Sequence, residues 1–276
     1  MLLAAALGTC AGSAGTLALL SRLYGTTPLG ILAPLLQRLS GATGVGVGAS
    51  GQSACEPCEQ DKVWLPRLHW LTRHRIYLQQ REKCEVVFLG DSITEGWLGN
   101  GFELWQDQYL KPYSALNLGI GGDEVQHVLW RVQQGALDNL DPLLLVLMIG
   151  TNNIGNSGHK AQQIAEGIQK LLQELKAKLP RTRFLLLGVL PRDQAPGSAL
   201  RREVLELNRL LASLEDGKMV DFLDLGEHFL TSEGVIAQEI MEDFLHLSPK
   251  GYAIWAEKMQ NTLRRVLEQS RQLRSA

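Results

Sequence analysis

Val86-Val87-Phe88-Leu89-Gly90-Asp91-Ser92-Ile93-Thr94-Glu95-Gly96 is the stretch that decides the fold. Four bulky or β-branched apolar residues run without a break and stop at a glycine, the pattern of a strand buried on both faces of a parallel sheet. A carboxylate and a serine follow at once, at the carboxyl end of that strand, which is the edge where open α/β sheets bind ligands. Gly90 lets the backbone turn tightly there, and Ser92 stands just before a helix with its hydroxyl toward the crevice. Taken alone the stretch has a plainer reading as well, with Asp91 or Ser92 serving only as a helix N-cap.

Downstream the pattern repeats, strand then helix. Ala115 to Leu118 is a short second strand, and Leu143 to Ile149 is a continuous apolar one at the centre of the sheet. Phe184 to Val189, closed by Pro191, and Val220 to Leu225 bring the strands to five. Between them Val125, Val128, Leu129 and Val132 share one helical face, and Asp123-Glu124-Val125-Gln126 has the form of a capping box opening that helix. Ile164, Ile168, Leu171, Leu172, Leu175 and Leu179 mark a second helix, and Leu200, Val204, Leu207, Leu211 and Leu214 a third. Ser248-Pro249 opens the last helix with a favoured N-cap and a proline at the first helical position, and Tyr252, Trp255, Met259, Leu263 and Val266 stripe its inner face. Trp64 to Arg81 reads as a lead-in helix. Alternation of this kind gives a parallel sheet covered on both sides, so the expected fold is α/β, a flavodoxin-like three-layer α/β/α arrangement on a five-stranded parallel sheet.

The length of 276 residues suits one domain with an appendage, and 45% hydrophobic with 20% charged residues is a globular composition. Lys and Arg number 27 against 29 Asp and Glu, and no basic stripe interleaves with aromatics, which excludes a nucleic-acid partner. Cys10, Cys55, Cys58 and Cys84 are too few and too scattered for a disulfide framework. Cys55-Glu56-Pro57-Cys58 lacks the second pair a zinc site needs and the strand–helix setting a redox motif needs. It reads as an incidental pair, disulfide-bonded only if the compartment oxidises. From Met1 to Cys55 the only charges are Arg22 and Arg38. Met1 to Ser21, rich in Leu and Ala, reads as a signal peptide or membrane anchor, making the chain secreted or membrane-associated. The acid-poor character fits an organellar transit peptide too, and a cytoplasmic location stays open. Gly41 to Gly51 is a flexible, glycine-rich linker. Residues 1–58 are therefore expected to be targeting or anchoring segment plus linker, and residues 59–276 the folded domain.

Polar clusters stand at the strand ends. The first strand ends at Gly90-Asp91-Ser92, the second runs into Gly119-Ile120-Gly121-Gly122-Asp123, and the third into Gly150-Thr151-Asn152-Asn153. A fourth cluster, Asp243-Phe244-Leu245-His246, precedes the last helix. Acyl-ester hydrolysis needs a nucleophile, a base, a group to orient the base, and donors for the oxyanion. Ser92 supplies the hydroxyl and His246 the imidazole. Asp243 lies three residues earlier, close enough to hold the other ring nitrogen. The backbone N–H groups of Ser92 and Gly122, with the Asn152 amide, make a candidate oxyanion hole. The other five histidines, His69, His74, His127, His159 and His228, read as structural.

The four clusters, in this order and on these elements, resemble the SGNH, or GDSL-type, esterases. Within that superfamily the chain is most similar to the catalytic alpha subunits of intracellular platelet-activating-factor acetylhydrolase and their bacterial relatives. The similarity rests on Asn117 to Asp123, His127-Val128-Leu129-Trp130-Arg131, Gly150 to Asn153 and Asp243 to Ser248, and spans about Trp64 to Leu267. It implies a Ser–His–Asp mechanism without metal or cofactor, a small acyl-ester substrate, commonly acetyl, and a homodimer. Ile93 replaces the Leu that usually follows the serine, and the segment from Met1 to Cys55 is foreign to those subunits. A carbohydrate O-acetylesterase, a lysophospholipase or a thioesterase would use the same scaffold, and a catalytically silent binding module would keep the same fold. A flavin- or phosphate-binding flavodoxin-like protein fits poorly, because the loop after the first strand offers one glycine and then an acid.

Overall fold

The computed structural model describes residues 52–79 and 83–275. The expectations attached to residues 1–51, the targeting or anchoring segment and the glycine linker, lie outside the described residues. Along the chain come α1 (Arg67–Gln79), β1 (Val86–Gly90), α2 (Ser92–Glu95), a 3-10 turn (Gly96–Leu98), α3 (Phe102–Trp105), a π turn (Gln106–Leu110), α4 (Lys111–Tyr113) and β2 (Leu116–Gly119). There follow α5 (Val125–Gln133), β3 (Leu144–Met148), α6 (Thr151–Gly155), α7 (Ala161–Lys178), β4 (Arg183–Leu187), α8 (Ala199–Ala212), β5 (Val220–Leu223), a 3-10 turn (Gly226–Phe229) and α9 (Pro249–Ser275).

The strands lie in the order β2-β1-β3-β4-β5 and every neighbouring pair is parallel. This is the flavodoxin-like order, and its reversal at β1 opens a crevice beyond the strand ends. Register makes that crevice a shared one. Gly90 stands opposite Gly119 of β2 and Met148 of β3, so three loops leave the sheet at one level.

Side chains alternate between the two faces. Val87, Leu89, Leu145, Leu147, Phe184 and Leu186 pack into the layer formed with α1, α5, α7 and α8. Val86, Phe88, Leu144, Val146, Leu185 and Leu187 pack into the layer formed with α9 and the segment after α2. The stripe Ile164, Ile168, Leu171, Leu172 and Leu175 is buried along the 18 residues of α7. Each such side chain contributes roughly 1.5–3 kcal/mol, which holds a helix whose other face is polar. Ser248 caps α9 as expected, its Oγ accepting from Gly251 N at 3.2 Å.

Two regions differ from expectation. Residues 96–114 carry no periodic signal, and they fold as a run of short turns that set Trp97, Trp105 and Tyr109 against Phe88, Tyr252 and Trp255. Trp97 lies 4.6 Å from Tyr252 and 5.1 Å from Trp255 between ring centroids, and Phe88 lies 5.0 Å from Tyr109. The second difference is the boundary expected at residues 58/59. Residues 52–58 already lie on the domain: Ala54 is buried, Lys170 Nζ donates to Cys55 O at 2.9 Å, and Cys58 N donates to Gln126 O at 3.3 Å. The helix expected over Trp64 to Arg81 begins later, after Pro66, and residues 62–65 instead form a bridged turn.

Candidate active site

Ser92 is the first residue of α2, a helix of four residues. Asp91 caps it, accepting from Ile93 N at 2.9 Å, and is almost fully buried. Burial pushes its carboxyl up to about 7, against the pull of the Ile93 N–H and the His246 charge. The cap aims the Ser92 hydroxyl out of the strand end, and Ser92 Oγ lies 3.0 Å from His246 Nε2 across 154 residues of sequence.

His246 stands in the loop before α9. Phe244 adopts a left-handed backbone, φ 58°, which bends the loop back on Asp243. Asp243 Oδ1 accepts from Leu245 N at 3.1 Å and His246 N at 2.7 Å, while Oδ2 lies 2.7 Å from His246 Nδ1. Burial alone would raise the Asp243 carboxyl. The hydrogen bond and charge of His246, with the two backbone N–H groups, outweigh it and hold the group at about 2. An ionised Asp243 fixes the tautomer: Nδ1 carries the proton and donates, leaving Nε2 to accept from Ser92 Oγ.

The turn after β2 is a matter of backbone accounting. Gly119 N donates to Asn117 Oδ1 at 2.9 Å, Ile120 N to Gly90 O at 3.2 Å, and Gly121 N to Glu95 Oε2 at 2.8 Å. Asp123 N donates to Ile120 O at 3.2 Å, Glu124 N to His127 Nδ1 at 2.9 Å, and Val125 N to Asn153 Oδ1 at 3.0 Å. Among the described residues only the Gly122 N–H of this turn has no acceptor. Glycine is required there. Its φ is +76°, and a Cβ would come within 2.4 Å of the Trp64 ring.

The two asparagines after β3 divide the work. Asn153 is fully buried and committed on both sides, accepting from Val125 N and donating to Gln126 Oε1 at 2.9 Å. Asn152 donates one amide proton to Asp123 O at 3.0 Å and keeps the second. Ser92, His246 and Asp243 thus meet at bonding distance, and Asn152 reaches the Gly121–Asp123 turn.

The capping box expected at Asp123 is displaced by one residue. Glu124 is the N-cap of α5 and His127 the residue that closes the box. Burial first, then the Lys62 charge, lowers His127 to about 3, so its Nδ1 is free of a proton and accepts. Asp123 is instead buried beneath the turn, 2.7 Å from the Arg131 guanidinium and bonded by Trp70 Nε1 at 2.6 Å and Gln60 Nε2 at 2.8 Å. Burial raises its carboxyl to about 6, though the Arg131 charge and the Trp70 and Gln60 hydrogen bonds all pull the other way. Arg131, also fully buried, donates to Leu118 O at 2.8 Å and Gly90 O at 3.3 Å, tying the ends of β2 and β1 together. The sequence did carry a trace of it: a lone cation between Val128 and Val132 on an apolar helix face. Gln60 and Lys62 left none. Cys55 and Cys58 are free thiols, and burial, then the Glu124 charge, pushes Cys58 up to about 11. Among the described residues no group of three or more His, Cys, Asp or Glu is placed to hold a metal ion.

Comparison with known proteins matches residues 88–254 to the GDSL-like lipase/acylhydrolase family. Platelet-activating factor acetylhydrolase IB subunit alpha1 of Homo sapiens is 37% identical over 223 residues, 80% of this chain and 91% of that protein. The alpha2 subunit of Rattus norvegicus is 36% identical over 204 residues, 73% of this chain and 86% of its own. Two solved structures share the fold. A GDSL-like lipase from Bacteroides thetaiotaomicron superposes with TM-score 0.59 at 18% identity, over 71% of this chain and 97% of that one. An acetylxylan esterase from Geobacillus stearothermophilus superposes with TM-score 0.52 at 18% identity, over 66% of this chain and 93% of that one.

Proposed function

Because the chain belongs to the GDSL-like lipase/acylhydrolase family and is an ester hydrolase, we propose that it is a serine esterase that cleaves short acyl esters, acetyl esters foremost, through Ser92, His246 and Asp243. The observation that carries this reading is the continuous path from Ser92 Oγ to His246 Nε2 at 3.0 Å and from His246 Nδ1 to Asp243 Oδ2 at 2.7 Å. Ser92 Oγ attacks the ester carbonyl carbon while its proton passes to His246 Nε2. The ionised Asp243 steadies the imidazolium that results. Negative charge gathers on the carbonyl oxygen, where the Ser92 and Gly122 N–H groups and the second Asn152 amide proton receive it. The tetrahedral intermediate collapses, His246 returns the proton to the leaving alcohol, and an acyl-Ser92 remains. Water then repeats the sequence, with His246 again as base, and releases the acid.

The acetyl preference draws support from the two acetylhydrolase relatives, whose alignments span most of this chain. The test is a series of p-nitrophenyl esters of increasing acyl length, run beside an acetylated sugar and an acetylated phospholipid. We expect kcat/KM to be highest for acetate and to fall with each added pair of carbons. A maximum at a long acyl chain would make the protein a lysophospholipase- or thioesterase-like enzyme, and a clear preference for the sugar a carbohydrate O-acetylesterase. Failure of Ser92 to label with a fluorophosphonate would leave a binding module.

A further inference from the structure

We propose that Gln60 is a positioning residue of the oxyanion hole, holding from behind the peptide whose N–H faces the reacting carbonyl. The inference rests on the reading of Gly122 N as an oxyanion donor and deepens it. The Gly121 carbonyl and the Gly122 N–H belong to one peptide unit. No described peptide bond is cis, so the two dipoles point in opposite directions. Gln60 Nε2 donates to Gly121 O at 3.2 Å, on the side away from the Gly122 N–H. A donor on the carbonyl does two things to the amide at the other end. It fixes the rotation of the peptide plane, and it polarises the unit so that the N–H becomes a better donor.

Gln60 is itself held rigidly. It is 0% exposed, and the second proton of the same nitrogen goes to Asp123 Oδ1 at 2.8 Å. Reversing the amide would turn its oxygen on two acceptors, so the orientation is fixed by the network. The cost is visible, since Gln60 Oε1 is buried without a donor. An orphaned acceptor of that kind is uncommon in a protein interior, and here it follows from keeping both Nε2 protons on Gly121 and Asp123. The remaining groups of the turn are held as well: Glu95 accepts from Gly121 N, and Lys62 Nζ donates to Gly122 O at 2.6 Å. Of these side chains only Gln60 touches the peptide that presents the Gly122 N–H.

The test uses the full chain with Gln60→Met, which keeps the length and removes the donor. Its kcat on p-nitrophenyl acetate is expected to fall about 10- to 100-fold, less than for outright loss of an oxyanion donor, with KM within about two-fold. The Ki of a trifluoromethyl ketone, which forms the tetrahedral adduct, should rise by the same factor as kcat/KM falls. Gln60→Asn, which draws the amide back by one methylene, serves if Gln60→Met does not fold. Trp70→Phe removes a different donor from Asp123 and leaves Gly121 alone, so it should keep kcat. An unchanged kcat in both Gln60 variants overturns the proposal. So does a kcat loss without the matching rise in Ki, or an equal loss in Trp70→Phe, which would route the effect through Asp123. If Ser92→Ala is inactive and Asn152→Ala is impaired while the Gln60 variants are normal, only this inference falls. If Ser92→Ala hydrolyses normally, the underlying mechanism falls instead.

Discussion

Asn152 has one amide proton on the Asp123 carbonyl and one to give. In the proposed mechanism that second proton matters only as charge develops, so Asn152→Ala should lower kcat by about 10²–10³ with little change in KM, measured by steady-state kinetics. His246→Ala should cost at least as much as Asp243→Asn, for which about 10⁴ in kcat is the comparable loss in serine proteases. Asp243 keeps its charge down to about pH 2, so it adds no limb of its own to kcat/KM over about pH 5 to 9, and Asp243→Asn should lower the profile there without removing a limb from it. Asp91 bears on stability. Its carboxyl titrates at about 7 when folded against 3.8 for the ordinary group. The folded state therefore binds more protons across that window, and the stabilisation present below about pH 4 is lost as pH rises through 7. Asp91→Asn keeps a helix cap and removes the titration. Its melting temperature relative to wild type should climb between pH 4 and 8 and then level off; a constant difference would place the charge elsewhere. Serine, histidine and aspartate were legible in the sequence because each has a distinctive chemistry and stands at a strand end or cap. Gln60 and Lys62 were not, because they act on backbone carbonyls, which any sequence possesses.

Among the elements, those that declare themselves by period are the strands and long helices. Val86 to Leu89 and Leu143 to Ile149 are continuous because both faces of the sheet are covered, and the stripes of α7, α8 and α9 face those same layers. Residues 96–114 escaped because Gly96, Gly99, Gly101 and Pro112 interrupt any run long enough to show a period, and their aromatics find partners only in three dimensions. Helix α5 braces the strand ends beside the candidate site, since its Arg131 binds the carbonyls of Leu118 and Gly90 and pairs with Asp123. Arg131→Met should cost about 3–5 kcal/mol, because it leaves the Asp123 carboxylate buried without its cation. Urea unfolding would measure it. A loss under 1 kcal/mol would mean that the interior accommodates Asp123 without help, by keeping it protonated.

At the scale of the whole molecule, residues 52–65 show where composition misleads. They look like the end of a linker, yet Ala54, Cys58 and Gln60 are packed on α7, α5 and the turn after β2. A chain beginning at residue 52 should therefore be soluble and as active as the full chain, while one beginning at residue 66 should lose both melting temperature and kcat. Equal activity in the two would mean that the segment only decorates the domain. The distance between serine and base along the sequence has a consequence in time. Ser92 is made early, with β1, but its proposed base, His246, lies in the loop just before α9, and α9 covers one face of the sheet. Under the proposed mechanism, Ser92 therefore gains its base only once α9 has been made and has docked on the sheet. On that mechanism a chain broken off before His246 is expected to be inactive.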